Sequence, residues 1–250
     1  MRIKQAFVGA TFFKQGFLSK YKLNLYKDPA QPAIFFGCYP KQVKLVEGHL
    51  APAVVVWRGT DALYAKSKAQ HYARMLARTD IRHIAPSQMV SNTLGSIGVS
   101  NTIVPLTPFT YEGFEPTPLG RHVFFYNPNL NAHLYGREWA AKAQRLGNDI
   151  HFYHSTARDI PRGQMPWAYT QCFCNLRLTS HDGLSNTVVE MALMGRHSLW
   201  NNPVPGATPW KDEFDIIRFV ELERQRQQPD LELREEMLDY LNVGNEWMRI

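Results

Sequence analysis

Residues 176–196, LRLTSHDGLSNTVVEMALMGR, concentrate residue types that can do chemistry. An apolar strand ends near Thr179, a polar turn Ser180-His181-Asp182-Gly183 follows, and a helix is expected from Leu184. Gly183 permits a tight turn and a close backbone approach. The first-turn N–H groups at Leu184, Ser185 and Asn186 have no partner inside a helix. Together with the helix dipole they suit an anion such as a diphosphate. Glu190 stands seven residues past Gly183, roughly two helical turns along. A carboxylate there can accept from both hydroxyls of a ribose, and Asp182 in the turn can touch a sugar or its leaving group.

Other candidates are more open. In the WRGTD loop (57–61), the polar residues Arg58, Thr60 and Asp61 follow a very apolar strand. Asp61 reads either as an acid that orients an acceptor hydroxyl or as the cap of the next helix. Ser87 reads as a helix cap after IAP, and His154 as a hydrogen-bonded residue at a strand end. Trp167 and Tyr169 fit either a base pocket or ordinary packing. In TFFKQGFLSKYKLNLYK (11–27), Phe13, Phe17 and Tyr21 share one helix face among lysines. That pattern fits an interfacial helix on anionic lipid, a nucleic-acid contact, or a helix covering a sheet. Cys38, Cys172 and Cys174 are too few for a disulfide framework, and no second Cys/His pair supplies zinc spacing, so no metal site is expected.

Short apolar runs alternate with helical patterns along most of the 250 residues. Strands are expected at 3–10, 33–38, 53–59, 81–87, 101–106, 122–127, 149–155, 173–179 and 197–202. Helices are expected between them, the longest of the first half at 62–79. Such alternation is the signature of parallel sheets covered on both faces. The expected organisation is α/β, with two Rossmann-like lobes facing a cleft. A first lobe spans 1–110, a Pro-rich linker 111–120, a second lobe 121–210, and C-terminal helices 211–250. The charge is uneven: residues 1–115 carry 14 basic and 6 acidic side chains, a net of +8, whereas residues 116–250 carry 14 and 16, a net of −2. No apolar run is long enough for a membrane span, and the N-terminus lacks the pattern of a signal peptide.

The 176–196 stretch resembles the signature of the GT-B glycosyltransferases, the large retaining nucleotide-sugar family (group 1, family 4-like). In that signature an acidic residue, seven others and a Glu precede a small-residue Ala/Met-Gly ending. Asp182 and Glu190 take the two acidic positions, and MALMGR matches the helix end. The segment IAPSQMVSNTLGSIGVSNTIVPLTPF (84–109) is similar to the run that ends the family's first lobe. The resemblance spans roughly residues 84–202.

What the resemblance implies is glycosyl transfer, with retention, from a nucleotide-diphosphate sugar to an acceptor hydroxyl, without a required cofactor or metal. Glu190 is then the ribose contact and Asp182 the donor-sugar contact, while Gly183, Leu184 and Ser185 face the phosphates. Many relatives place an Arg and a Lys after the first strand of the second lobe. Loop 127–133 has no such pair, and His133, Arg137 and Arg158 are the candidate substitutes. The basic first lobe suits an acidic acceptor or surface, either an anionic membrane carrying a lipid-linked glycan or DNA. The expected location is cytoplasmic, free or peripheral to the inner face of a membrane. Two other readings stand beside this one: a sugar-nucleotide epimerase on the same fold, and an inactive nucleotide-sugar or nucleic-acid binding module.

Overall fold

The computed structural model describes residues 2–127, 132–147, 149–155 and 160–250. It divides into two compact units. Unit 1 contains the chain up to Thr110 together with His181–Leu184 and Val243–Ile250; unit 2 contains Tyr111–Ser180 and Ser185–Asn242.

Unit 1 runs β1 (Gln5–Val8), α1 (Lys14–Lys20), β2 (Asn24–Leu25), β3 (Ala33–Phe36), α2 (Val43–Glu47), β4 (Ala53–Val56), α3 (Thr60–Ser67), α4 (Ala69–Leu76), β5 (Ile81–Ala85), α5 (Gln88–Gly95) and β6 (Asn101–Ile103). Its sheet has the order β2-β1-β3-β4-β5-β6, and every pairing is parallel. All side chains of β3 and β4 are buried. Phe35 and Val55 enter one core with α2–α5, while Ile34, Phe36, Val54 and Val56 enter the other with α1. This two-sided burial is why the strands read as unbroken apolar runs.

Unit 2 runs β7 (His122–Tyr126), α6 (Arg137–Leu146), β8 (Phe152–Ser155), α7 (Met165–Thr170), β9 (Cys172–Leu176), α8 (Asn186–Leu193), β10 (Ser198–Leu199), β11 (Ala207–Thr208), α9 (Glu213–Arg224) and α10 (Leu231–Leu241). Its sheet has the order β11-β10-β9-β7-β8, again all parallel. In both sheets the chain starts in the interior, adds a strand on one side, and then crosses to the other. The order therefore reverses at β1/β3 and at β7/β9, the places where open parallel sheets bind ligands at their carboxyl ends.

Several expectations are corrected. The helix expected over 62–79 is two helices, because Lys68 leaves the helical region (φ −126, ψ 43). The break lets α4 bond the turn after β3, with Tyr72 Oη donating to the Cys38 carbonyl at 2.9 Å. The aromatic face of α1 does not face lipid or nucleic acid: Phe17 is fully buried and stacks on Phe36 at 4.0 Å. The stretch expected as a linker, 111–120, packs into unit 2. Arg196 donates to the carbonyls of Thr117 and Pro118, and Arg234 to the Phe114 carbonyl. The C-terminal stretch 211–250 divides, with α9 and α10 in unit 2 and Val243–Ile250 in unit 1, where Trp247 and Met248 join the core beside α1. All three cysteines are buried and free, with Cys172 and Cys174 on β9. Among the described residues, no helix is long and apolar enough to cross a membrane.

One buried group makes unit 1 sensitive to acid. His83 on β5 accepts a hydrogen bond at Nδ1 from Trp57 Nε1 (3.2 Å), which requires an uncharged ring nitrogen. Burial pushes its pKa down to about 4. The unfolded chain, with a His pKa of about 6.5, protonates first. The stability contributed by the neutral ring is therefore complete above about pH 6.5 and is lost as pH falls toward the folded value. We predict that the thermal midpoint drops less between about pH 7 and 4.5 in His83→Gln than in the wild type. Parallel pH profiles for the two proteins would contradict this.

Candidate functional site

In unit 2, α8 follows the central strand β9 after a loop and is buried from Val188 to Leu193. Its first helical residue is Asn186, two positions later than expected. Leu184 precedes the helix as a buried residue of unit 1, so Ser185 and Asn186 are the predicted backbone contacts that head the helix. Ser185 occupies the N-cap but its side chain does not cap the helix; its hydroxyl pairs with that of Thr187 at 3.0 Å. The first-turn amides of α8 are thus not capped by the N-cap side chain and suit an anion.

Glu190 lies one turn into this helix and is 2 % exposed. One carboxylate oxygen is ion-paired with Arg162 Nη1, and the other accepts from Tyr169 Oη at 2.7 Å. Burial pushes the Glu190 pKa up, and the Arg162 charge opposes that shift. Arg162 also packs on the rings of Phe114 (5.3 Å) and Tyr111 (5.9 Å). The acid expected to be open to a ribose is therefore a compensated buried charge, because a carboxylate removed from water needs a counter-charge and donors. Each oxygen has one printed bond and keeps further lone-pair capacity. Tyr169 is buried as Glu190's partner, while Trp167 is exposed. Arg162 lies 28 residues from Glu190, and no local spacing pointed to it.

A second cluster stands at the carboxyl ends of β7 and β9. Phe125 pairs with Leu176, which sets Tyr126 beside Arg177. Arg177 is 8 % exposed, and its guanidinium packs on the rings of Tyr126 (5.2 Å) and Tyr135 (4.8 Å). Gly136 holds the Tyr135 segment against Leu178: its φ is +74, and any Cβ there would overlap Leu178. Next to it, Arg137 donates from Nε to Asn127 Oδ1 at 2.9 Å. Sequence reasoning missed Arg177, although a basic residue just past an apolar strand end was the available signal. Of the other candidates in this region, His133 is exposed, Arg158 lies outside the described residues, and so does the side chain of His154.

In unit 1, Asp61 is not an exposed catalytic acid. It is fully buried. Its Oδ1 accepts from the backbone N–H of Arg58 (2.8 Å), Gly59 (2.9 Å) and Ala62 (3.0 Å), and its Oδ2 from that of Cys38 (2.8 Å). With its oxygens committed to the chain after β3 and β4, it has no role on an acceptor. Burial raises its pKa, and the bonds to Cys38 and Arg58 oppose the shift. The same loop meets residues 181–184, which cluster with unit 1 rather than with the second lobe as expected. Gly59 (φ +117) and Gly183 pass so closely that a Cβ on Gly59 would lie 2.7 Å from Gly183 N. Asp182 Oδ1 accepts from Gly183 N at 2.8 Å. Ser87 caps α5, accepting from Val90 N at 3.4 Å, as expected.

No protein-family model matches the chain, and no curated protein matches it in sequence. Solved structures do. TarM superposes with a TM-score of 0.55 over 88% of this chain and 54% of its own, at 11% identity. Sucrose-phosphate synthase from Thermosynechococcus elongatus gives 0.58 over 92% and 73%, also at 11%. S. aureus TarM in complex with fondaparinux, alpha-GlcNAc-glycerol and UDP gives 0.54 over 86% and 53%, at 10%. The chain thus spans about half the length of TarM. These structures are GT-B glycosyltransferases, and the likeness gives this chain the GT-B fold.

Two stability predictions follow from the buried acids. Asp61→Ala leaves four amides without their acceptor and lowers unfolding stability by about 3 kcal/mol or more; a loss below about 1 kcal/mol in urea titration would contradict the assignment. Glu190→Gln and Arg162→Met each break a buried pair and cost about 3 kcal/mol. The double variant should cost less than the sum, and strict additivity in that cycle would mean the pair is not coupled.

Proposed function

We propose that this chain transfers a glycosyl group from a nucleotide-diphosphate sugar to an acceptor hydroxyl, with retention at the anomeric carbon. The observation that carries the reading is a GT-B fold in which α8, its N-cap side chain making no cap bond, follows the central strand of the second sheet. In this reading the amides of Ser185 and Asn186 face the phosphates. Glu190, held by Arg162 and Tyr169, accepts from the ribose hydroxyls with its remaining lone pairs. Asp182, with Gly183 and Leu184, precedes these residues in the chain and contacts the donor sugar. The bond from the anomeric carbon to the diphosphate breaks, and its electron pair leaves with the phosphate. The acceptor oxygen forms the new bond and gives up its proton. Amides fixed before the reaction stabilise the departing charge without reorganising.

S. aureus TarM holds UDP and alpha-GlcNAc-glycerol together, which supports a nucleotide and a hydroxyl-bearing partner for this fold. The net +8 of residues 1–115 supports an acceptor that carries negative charge.

The test is a thermal-shift screen against UDP-, GDP-, ADP- and dTDP-sugars, followed by nucleoside-diphosphate release with the stabilising donor. One donor should raise the midpoint by several degrees, since ligands that bind only the native state stabilise it. Asp182→Ala should lower release at least about tenfold with an unchanged midpoint. A wild type that neither binds nor cleaves any of these donors, or an Asp182→Ala variant with full turnover, would defeat the corresponding assignment.

A further inference from the structure

We infer that Arg177 and Arg137 form a phosphate-binding pair at the β7/β9 carboxyl edge of unit 2, and that its ligand is the diphosphate of a nucleotide. The site is built from three observations.

The first is position. β7 and β9 are the neighbours at which the strand order of the second sheet reverses. Open parallel sheets bind ligands beyond the carboxyl ends of such strands.

The second is the state of Arg177. Its backbone is anchored by its N–H to the Leu199 carbonyl (2.9 Å), and the residue is more than nine-tenths buried. Its guanidinium packs on Tyr126 and Tyr135, whose rings meet edge to face at 5.0 Å. Packing on rings uses the face of a guanidinium, while the N–H donors lie in its plane. Aromatic packing therefore fixes the group and leaves its fork geometry suited to a phosphate.

The third is the second cation. Arg137 is tied through Nε to Asn127, the residue after Tyr126. Among the described residues its Nη1 and Nη2 have no partner. It also opens α6, whose N-cap, Gly136, supplies no side-chain bond. Two guanidinium groups are thus fastened to consecutive residues of one strand end. Like charges repel there unless an anion joins them. Arginine pairs phosphate oxygens through two parallel N–H donors, so a ligand with two phosphates can engage both residues.

The identity of the ligand as a nucleoside diphosphate rests on the glycosyl-transfer reading; the anion site rests on unit 2 alone. The experiment is isothermal titration of UDP, GDP and ADP, each beside its parent nucleoside, into the full chain. For whichever diphosphate binds the wild type, Arg177→Gln should weaken binding at least about tenfold, and Arg137→Gln about threefold or more. Affinity for the nucleoside should change less than about twofold in both. Arg177→Lys keeps the charge but loses the fork, and its loss should fall between those of wild type and Arg177→Gln. A wild type that binds none of the diphosphates defeats the glycosyl-transfer reading and the ligand with it. A wild type that binds, with Arg137→Gln and Arg177→Lys both within about twofold of it, overturns the arginine pair alone. Those two variants decide the matter even if Arg177→Gln does not fold, and unchanged circular dichroism confirms that each is compared as a folded protein.

Discussion

Every strand pairing in both sheets is parallel, and most of the molecule follows from that constraint. Parallel neighbours cannot be joined by a hairpin, so the connection must cross a face of the sheet and can cover it with helix. Interior strands are then buried on both sides, which is why β3 and β4 contain no polar side chain. The same constraint brings all the carboxyl ends of a sheet to one edge. At that edge the chain leaves its ladder and turns into helices, so strand-end and first-turn amides need partners there. Polar and charged residues collect at the edge because the interior of the sheet has no place for them.

The two units meet this demand with opposite charges. Unit 1 uses a carboxylate: Asp61 gathers amides from the ends of β3 and β4 and from the start of α3. Unit 2 places a guanidinium, Arg177, at the corresponding edge, against aromatic rings. A carboxylate at a strand end consumes donors and closes the edge. A guanidinium there supplies donors and prepares it for an anion. Elsewhere in unit 2, Arg196 shows how a buried cation is accommodated when it serves only the fold. Its donors go to the carbonyls of Cys172, Met194, Thr117 and Pro118, and burial pushes its pKa down to about 10.

Legibility of the sequence tracks how local each cause is. The long apolar strands were readable because burial on both faces leaves an uninterrupted run, as in AIFF and AVVV. The two-residue strands β2 and β11 were not, since so few residues carry no periodic signal. The helix over 186–193 was readable from its apolar spacing, but not the fate of Glu190 on it. Its partners, Arg162 and Tyr169, come from distant positions and meet it only through the fold. Asp61 was legible as an acid beside a helix start. Nothing local said that the amide of Cys38, 23 residues away, would claim one of its oxygens. The same limit hid the membership of residues 181–184, which depends on the approach of Gly59 to Gly183.

The basic excess of residues 1–115 also changes meaning once its cations have places. Lys20 donates to Thr107 and the Phe109 carbonyl, Arg58 packs on Phe13 and Phe17, Arg78 clamps the carbonyls of Val46 and His49, and Arg82 holds the Trp247 carbonyl. These heads are committed to unit 1. Carbonyls and rings do not neutralise them, so their charge still adds to the field around the protein. The lysines at 41, 44, 66 and 68 are exposed, and no hydrogen bond or ion pair is recorded for their ammonium groups among the described residues. The field of unit 1 is therefore larger than the number of cations able to touch a partner. A negatively charged acceptor would feel that surplus mainly in its rate of encounter and in its sensitivity to salt, because field acts at a distance and is screened, whereas specificity needs contacts.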